Sequence, residues 1–221
     1  MAFIGMENGG GTGVANQTQV DTVYIVEDDD STREALGELI RPTGARVEAF
    51  RSAEDFLKSY EPRNPSCLLL DQRLPGISGC ELLRQLRSEG VPVPAVFVTA
   101  YATTPMTVDA MRMGAVNVLD KPCCENELRD AIGLALSEHR KQLRRSANRR
   151  EAATRLDQLT PSERDVLTRV LDGVPNKQIA RELNVCIRTV EARRSRIYKT
   201  MGVQSVAELT RACVAAGFVD A

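Results

Sequence analysis

The stretch CLLLDQRLPG, residues 67–76, joins a short apolar run to a single carboxylate and a Pro-Gly turn. An apolar run of this length, bounded by turn residues, predicts a strand buried on both faces, as in a parallel sheet. The residue that ends such a strand lies at the carboxyl edge of the sheet, where open α/β folds bind their ligands. Asp71 is therefore a candidate functional residue, although a carboxylate here could equally accept backbone N–H groups of the turn.

Four further apolar runs predict strands on either side of this stretch. They span residues 22–26, 46–50, 95–98 and 116–119, and a segment with helical periodicity follows each of them. The helices are expected to begin near Ser31, Ser52, Gly79, Pro105 and Cys124, with Ser31 as the cap of the first. Strands that alternate with helices in this way predict an α/β, doubly wound sheet of five parallel strands with right-handed crossovers.

Polar side chains stand at the ends of four of these strands, namely Glu27 and Asp28, then Asp71, Thr99 and Lys121. Because the carboxyl ends of parallel strands share one edge, we expect these side chains to lie together. Clustered carboxylates favour a hard divalent cation such as Mg²⁺, beside which a carboxylate can attack phosphorus. Taken singly, each residue is also typical of a solvated helix start, a strand end or a surface charge.

Charge is divided unevenly along the 221 residues of the chain. Residues 1–137 carry 12 Lys/Arg and 20 Asp/Glu, whereas residues 138–154 carry 6 and 2, and residues 155–221 carry 11 and 8. An acidic first half and a basic second half predict two domains, the second facing nucleic acid. The sequence shows no signal peptide, no membrane-spanning run and no metal-ligand spacing of its six cysteines, so we expect a cytoplasmic protein with reduced thiols.

The second half predicts four helices. Thr160 and Glu163 form a capping-box pattern with Pro161 in the first turn, and Asn176 is expected to cap a short second helix. A longer third helix spans about 187–201, and a last one spans 205–216. Two helices joined by a tight turn and flanked by supporting helices predict a helix-turn-helix domain.

The third of these helices has two different faces. At 100° per residue, Val190, Ile197 and Met201 form an apolar stripe. The opposite face combines small residues with cations, which suits a DNA groove and its phosphate walls, and it contains Arg188, Ala192, Ser195, Arg196 and Lys199. Arg194 lies near the apolar stripe and is expected to pair with Glu163 or Asp165. A plain solvated face would commonly mix Glu with Lys, whereas this helix has a single acid, Glu191.

A connector rich in Leu, Ala, Glu, Arg and Gln joins the two halves. Its composition predicts a helical or partly frayed linker over residues 138–155. It carries a cluster of six cations that is typical of a solvated face and secondarily suits non-specific attraction to phosphates: Arg140, Lys141, Arg144, Arg145, Arg149 and Arg150.

Residues 21–140 resemble the receiver domain of two-component response regulators through VEDDD, LLLDQRLPGISG, VTAYA and LDKP. The resemblance implies a flavodoxin-like strand order and makes Asp71 the phosphoacceptor. Glu27 and Asp28 would hold Mg²⁺ with Asp71 and the backbone carbonyl of Arg73. Thr99 and Lys121 would be the switch hydroxyl and the phosphate-contacting lysine, and the bond from Lys121 to Pro122 would be cis.

One position departs from that resemblance. Receivers usually place an aromatic switch residue three positions before the lysine, where this chain has Val118. Coupling would then depend on Thr99, the loop at residues 101–104 and the next helix, whose sequence TTPMTVDAMRMGA resembles the FixJ branch. In that branch phosphorylation pairs two receivers through this helix and the fifth strand, which implies an interface containing Val108, Met111, Arg112 and Asn117.

Residues 159–216 resemble the LuxR-type DNA-binding domain through LTPSERDVL, GVPNKQIARELNV, RTVEARRSRIYKTMGV and SVAEL. The resemblance implies phosphate contacts for Lys177 and Thr189. It places Glu191, Ala192 and Ser195 towards bases, with Arg196 and Lys199 beside the backbone. The family often has His where this chain has Arg193, which weakens any inference about the bases.

The whole chain thus resembles a FixJ/NarL-family response regulator. We expect a flexible tail at 1–20, a receiver at 21–137, a helical linker at 138–155 and an all-α, four-helix DNA-binding domain at 156–221. The resemblance implies a histidine kinase, promoter DNA and RNA polymerase as partners, Mg²⁺ as cofactor, and a homodimer when phosphorylated. It does not imply an enzyme beyond the receiver's action on its own phosphoryl group.

Two alternatives remain at this point. A regulator that binds DNA without phosphorylation would suit Val118. A phosphohydrolase with an aspartate nucleophile would want a second carboxylate two residues on, where this chain has Arg73.

Overall fold

The computed structural model describes residues 20–61 and 65–219. The chain separates into two compact units, with the division between His139 and Arg140. Nearly all of the predicted N-terminal tail, residues 1–19, lies outside the described residues. Within the part that the structure describes, no helix combines the length and apolar character needed to cross a bilayer.

The first unit is a parallel sheet of five strands in the order β2-β1-β3-β4-β5, with helices between them. This order confirms the predicted doubly wound, flavodoxin-like fold. Its elements, in chain order, are β1 (Thr22–Val26), α1 (Asp30–Ile40), β2 (Arg46–Phe50), α2 (Ala53–Ser59), β3 (Ser66–Leu70), α3 (Gly79–Ser88), β4 (Ala95–Thr99), α4 (Thr104–Arg112), β5 (Ala115–Asp120) and α5 (Glu125–Asp157).

Two apolar layers cover the two faces of this sheet. Every residue of β1, β3 and β4 is buried, as the continuous apolar runs of the sequence predict. Successive residues of each strand point to opposite faces. Leu68 and Leu70 therefore belong to one layer, while Cys67 and Leu69 belong to the other, which includes α1 and α5. The two layers fix the strands from both sides, so the strand ends are held at one edge.

The prediction that Ser31 caps α1 is wrong. The helix begins at Asp30, and the cap is Asp29, whose carboxylate accepts the N–H of Thr32 at 2.7 Å. Ser31 instead donates its hydroxyl to the same carboxylate at 2.6 Å. An ionised carboxylate is a stronger acceptor than a hydroxyl, which explains the earlier start. Bonds from Ser31 and Thr32 lower the pKa of Asp29 to about 2.

The second unit contains the end of α5 and four further helices: α6 (Pro161–Leu171), α7 (Asn176–Glu182), α8 (Ile187–Met201) and α9 (Val206–Ala216). The capping box of Thr160 and Glu163 is present at α6, as predicted. The residues of the predicted linker are helical throughout, within α5.

Two local predictions in this unit are wrong, and a single contact explains both. Asn176 does not cap α7, whose cap is Pro175 without a side-chain bond. The side-chain oxygen of Asn176 instead accepts a hydrogen bond of 2.5 Å from Arg194. Arg194 also donates to the hydroxyl of Tyr198 at 3.2 Å. Arg194 therefore joins α7 to α8 rather than pairing with Glu163 or Asp165.

Candidate functional site

Three carboxylates meet at the carboxyl edge of the sheet. Glu27, Asp28 and Asp71 each offer one oxygen, and these oxygens lie within 4.8 Å of one another. Glu27 and Asp71 are buried, whereas Asp28 is exposed, so the group opens to solvent on one side. Only oxygens are offered, and oxygen ligands are those that Mg²⁺ prefers. The donor set therefore fits the predicted cation.

Lys121 joins two of these carboxylates. Its Nζ atom donates to Glu27 at 2.5 Å and to Asp71 at 2.8 Å. Burial raises the pKa of Glu27, against the influence of the lysine. Burial alone would lower the pKa of Lys121, but its bonds to Asp71 and Glu27 outweigh this and raise it. The ammonium group therefore stays charged and neutralises one of the carboxylates.

The β3–α3 loop encloses Asp71 closely. The backbone N–H of Arg73 donates to the Asp71 carboxylate at 3.2 Å. On the other side, a Cβ atom at Gly79 would lie 2.2 Å from the backbone oxygen of Asp71, a separation that no side chain tolerates. Glycine thus allows α3 to begin against the strand end. Involvement of the Arg73 carbonyl with a cation remains a prediction.

Thr99 and Lys121 are held together at the ends of β4 and β5. Thr99 is fully buried, and its hydroxyl accepts the N–H of Tyr101 at 3.2 Å. The backbone N–H of Lys121 donates to the Thr99 carbonyl at 3.0 Å. The bond between Lys121 and Pro122 is cis, which confirms that prediction. The hydroxyl and the ammonium group therefore come from one hydrogen-bonded pair of strand ends.

A stack between two loops was missing from the sequence-based prediction. The guanidinium carbon of Arg73 lies 3.3 Å from the centre of the Tyr101 ring, and both side chains are exposed. Each partner is also linked through its own backbone N–H to a polar side chain of the pocket, Asp71 or Thr99. No local pattern announces such a contact because the two residues belong to different loops.

The predicted pairing surface on α4 and β5 is partly exposed. Val108 and Met111 are 41% and 47% exposed, and Arg112 is exposed as well. Asn117 is half-buried, and its side chain accepts the N–H of Val118 at 2.9 Å. Val118 packs against the core, so it offers no side chain that could swing between two positions.

The predicted recognition helix α8 has the two expected faces. Val190, Ile197 and Met201 are buried in the core of the second unit. Thr189 is half-buried and lies 3.1 Å from the Cys186 sulfur, the two atoms being hydroxyl oxygen and thiol. The other predicted DNA contacts are exposed: Lys177, Arg188, Glu191, Ala192, Ser195, Arg196 and Lys199. The face is therefore available to a ligand.

Comparison with protein families finds two matches. Residues 23–133 match the response regulator receiver domain, and residues 157–213 match the luxR family of bacterial regulatory proteins. Nodulation protein W of Bradyrhizobium diazoefficiens is 40% identical over 90% of this chain and 89% of its own. The transcriptional regulatory protein FixJ of Azorhizobium caulinodans is 35% identical over 90% of this chain and 94% of its own length.

Two solved response regulators match most of this chain. The response regulator StyR is 39% identical with a TM-score of 0.79, over 87% of this chain and 98% of StyR. Full-length FixJ from B. japonicum is 31% identical with a TM-score of 0.54, over 90% of this chain and 98% of FixJ.

Proposed function

Since the chain belongs to the FixJ/NarL family of two-component response regulators and is a phosphorylation-dependent transcriptional regulator, we propose that Asp71 accepts the phosphoryl group. The observation that carries this proposal is the position of its carboxylate, which accepts a hydrogen bond from the Lys121 ammonium group and lies within 4.8 Å of oxygens of two other carboxylates. A receiver domain implies a histidine kinase as donor, and a LuxR-type domain implies DNA as target.

In the proposed transfer, a carboxylate oxygen of Asp71 attacks the phosphorus of a phosphohistidine. An O–P bond forms, the N–P bond breaks, and the imidazole leaves with the electron pair and takes up a proton. Mg²⁺, held by Glu27, Asp28, Asp71 and the Arg73 carbonyl, would supply charge neutralisation at the transferred group. Lys121 would bind a phosphoryl oxygen, which is supported by the hydrogen bond from its Nζ atom to the accepting carboxylate.

Thr99 is the proposed reporter of phosphorylation. Its buried hydroxyl lies beside the pocket and accepts the N–H of Tyr101. A phosphoryl oxygen that takes the Thr99 hydroxyl as donor would pull on this loop, and the loop leads directly into α4. Because Val118 replaces the usual aromatic residue, α4 and its loop carry the whole response.

The proposed output is pairing of two phosphorylated chains. Exposed apolar side chains at Val108 and Met111 support an interface on α4, to which Arg112 and Asn117 contribute. Pairing would bring two α8 helices to adjacent half-sites and raise affinity through effective concentration. The proposed DNA contacts are the eight residues predicted above, and RNA polymerase is the proposed downstream partner.

The proposed domain limits remain 21–137, 138–155 and 156–221. They agree in outline with the two compact units and with the two family matches. We also propose a cytoplasmic location, which the six free thiols support because a reducing compartment keeps cysteines unpaired. Slow hydrolysis of its own aspartyl phosphate is the one catalytic activity proposed.

Intact mass after incubation with acetyl phosphate and Mg²⁺ tests the phosphoacceptor, with light scattering on the same samples. We expect one added phosphoryl group and a shift from monomer to dimer in the native chain, and neither in Asp71→Asn. Asp55→Asn, an exposed acid on α2 outside the proposed interface, is the matched control and keeps both. Phosphorylation without dimerisation would reject the α4 interface alone, whereas phosphorylation of Asp71→Asn would reject the phosphoacceptor.

A further inference from the structure

The middle turns of α5, residues 140–150, form an unbalanced charge cluster. Residues 140–150 contain six Lys/Arg and no Asp or Glu. Five of these cations are exposed, and no hydrogen bond or ion pair of their side chains occurs among the described residues: Lys141, Arg144, Arg145, Arg149 and Arg150. These five cations therefore have no acidic residue to balance them within residues 140–150.

Other arginines of the same unit do find carboxylates. Arg155 pairs with Glu151 at 2.7 Å, and Arg164 pairs with Asp157 at 3.0 Å. Arg169 pairs with Glu182 at 2.9 Å. These three arginines therefore have carboxylate partners within the unit, which the five cations of residues 140–150 lack in the part of the chain that the structure describes. An ordinary solvated helix would intersperse acids with its bases, which this segment does not do.

Three of the five cations lie on one face of the helix. Lys141, Arg145 and Arg149 are spaced by four residues, so they fall within an arc of about 80° and form what we call the basic stripe. The same arc continues to Ala152 and Leu156, which are buried in the core of the second unit. The basic stripe therefore lies on the side of α5 that carries the DNA-binding helices. Like charges four residues apart also destabilise a helix, so an anionic partner would relieve this repulsion.

The end of α5 is attached to the end of the recognition helix. Arg155 donates to the carbonyl of Met201, the last residue of α8, at 2.6 Å. Arg149 lies about 9 Å along the α5 axis from Arg155. The last turns of α8 themselves expose Arg196 and Lys199. The exposed cations of α8 and those of α5 thus belong to two helices that are joined by this hydrogen bond.

We propose that the basic stripe binds DNA phosphates beside the site that α8 contacts, so that α5 extends the DNA-binding surface. This inference rests on DNA binding by the second unit. A polyanion is the partner that such a stripe fits, because it carries closely spaced phosphates and releases counterions when cations replace them. Attachment through Arg155 makes the stripe a fixed part of the surface rather than a loose basic arm.

The test measures how salt changes DNA affinity in the full-length chain, treated with acetyl phosphate and Mg²⁺. The probe is a fluorescein-labelled duplex of mixed sequence, followed by anisotropy at several KCl concentrations. The variant is Lys141→Gln/Arg145→Gln/Arg149→Gln, since Gln keeps the helix propensity of the residues that it replaces. The matched control is Arg41→Gln/Lys58→Gln/Arg84→Gln, which removes the same charge from the first unit.

Loss of three phosphate contacts should reduce the slope of log affinity against log salt by about 2.7, at 0.9 per contact. The control should keep the native slope, and circular dichroism should show equal helix content in all three proteins. Equal slopes for variant and native chain would overturn the proposal, as would an equal loss in the control.

Two further outcomes would also overturn it. Higher DNA affinity in the stripe variant would mean that the basic stripe binds an anionic surface of the protein itself and not DNA. Failure of the native chain to bind any duplex would reject DNA binding, and the stripe proposal with it.

Discussion

The pocket at the sheet edge and the surface of α8 use charge in opposite ways. In the pocket, the charged groups are drawn together, and Lys121 is shared between two buried carboxylates. On α8 three cations, Arg188, Arg196 and Lys199, are exposed on one face. A buried, hydrogen-bonded cluster responds to a single added group, since its members already constrain one another. An exposed row of cations gains little until a polyanion arrives. The pocket is therefore suited to sensing and the helix surface to binding.

Removing Lys121 is the strongest way to break this comparison. In Lys121→Gln the carboxylates lose their shared cation, so phosphorylation by acetyl phosphate should slow by about 100-fold. Affinity for Mg²⁺ should increase instead, because the ammonium group no longer competes for the same oxygens. Stopped-flow phosphorylation and Mg²⁺ titration measure the two effects. Lys58→Gln, on the surface, is the control, and a parallel loss of both properties would contradict the shared-cation picture.

Loss of the Arg155 contact tests whether DNA binding by α8 depends on its hydrogen bond to α5. Arg155→Met removes the bond to the Met201 carbonyl. A hydrogen bond to a charged group contributes about 1.5 kcal/mol or more, so DNA affinity should fall about 10-fold. Arg155→Lys keeps the charge and should recover part of the loss. Affinity for a labelled duplex measures this, and equal affinity in all three proteins would show that α8 needs no such support.

A pH series extends the comparison to a buried group outside both sites. His139, the one histidine of the chain, accepts the backbone N–H of Ser66 at 2.9 Å. Burial lowers its pKa in the folded chain, so protonation favours the unfolded state. Its stabilising contribution should therefore be present above about pH 6.5 and decrease as the pH falls below that.

Urea unfolding of the first unit between pH 7.5 and 5 measures this contribution. One proton gives a slope of at most about 1.4 kcal/mol per pH unit, and His139→Gln should abolish that part of the slope. Identical slopes in both proteins would mean that His139 does not titrate during unfolding.

The smallest expected effect concerns the stack of Arg73 on Tyr101. Both side chains are exposed at the edge of the pocket. An exposed cation–π contact is worth about 0.5–1 kcal/mol. If the stack shields the aspartyl phosphate from water, Tyr101→Leu should hydrolyse it about 2–5-fold faster. Tyr101→Phe keeps the ring and should match the native rate. Decay of the phosphorylated mass measures both, and a fast Phe variant would assign the effect to the hydroxyl instead.

Most of the fold was predictable because its signals are local. The apolar run that ends at Asp71 predicts one buried strand, and the apolar spacing of α8 predicts one helix and its buried face. The edge that collects Glu27, Thr99 and Lys121 then follows from the geometry of parallel strands. These residues needed no knowledge of distant partners.

The failures share a different cause. Ser31 lost the capping position to Asp29, and Asn176 lost it because Arg194 takes its side chain. The stack of Arg73 on Tyr101 likewise joins two loops. In each case a side chain has several possible partners in the folded chain. A single sequence does not show which of them it contacts.

Gly202 has a consequence for protein engineering. It follows α8 with a backbone φ of 67°, and a Cβ atom there would lie 2.4 Å from the Arg155 guanidinium. A larger residue at 202 would therefore displace the Arg155 side chain, and the left-handed φ would strain it as well. A chimera that joins a foreign receiver to these DNA-binding helices should place its junction before Glu151. The exchangeable cassette begins inside α5, not where that helix ends.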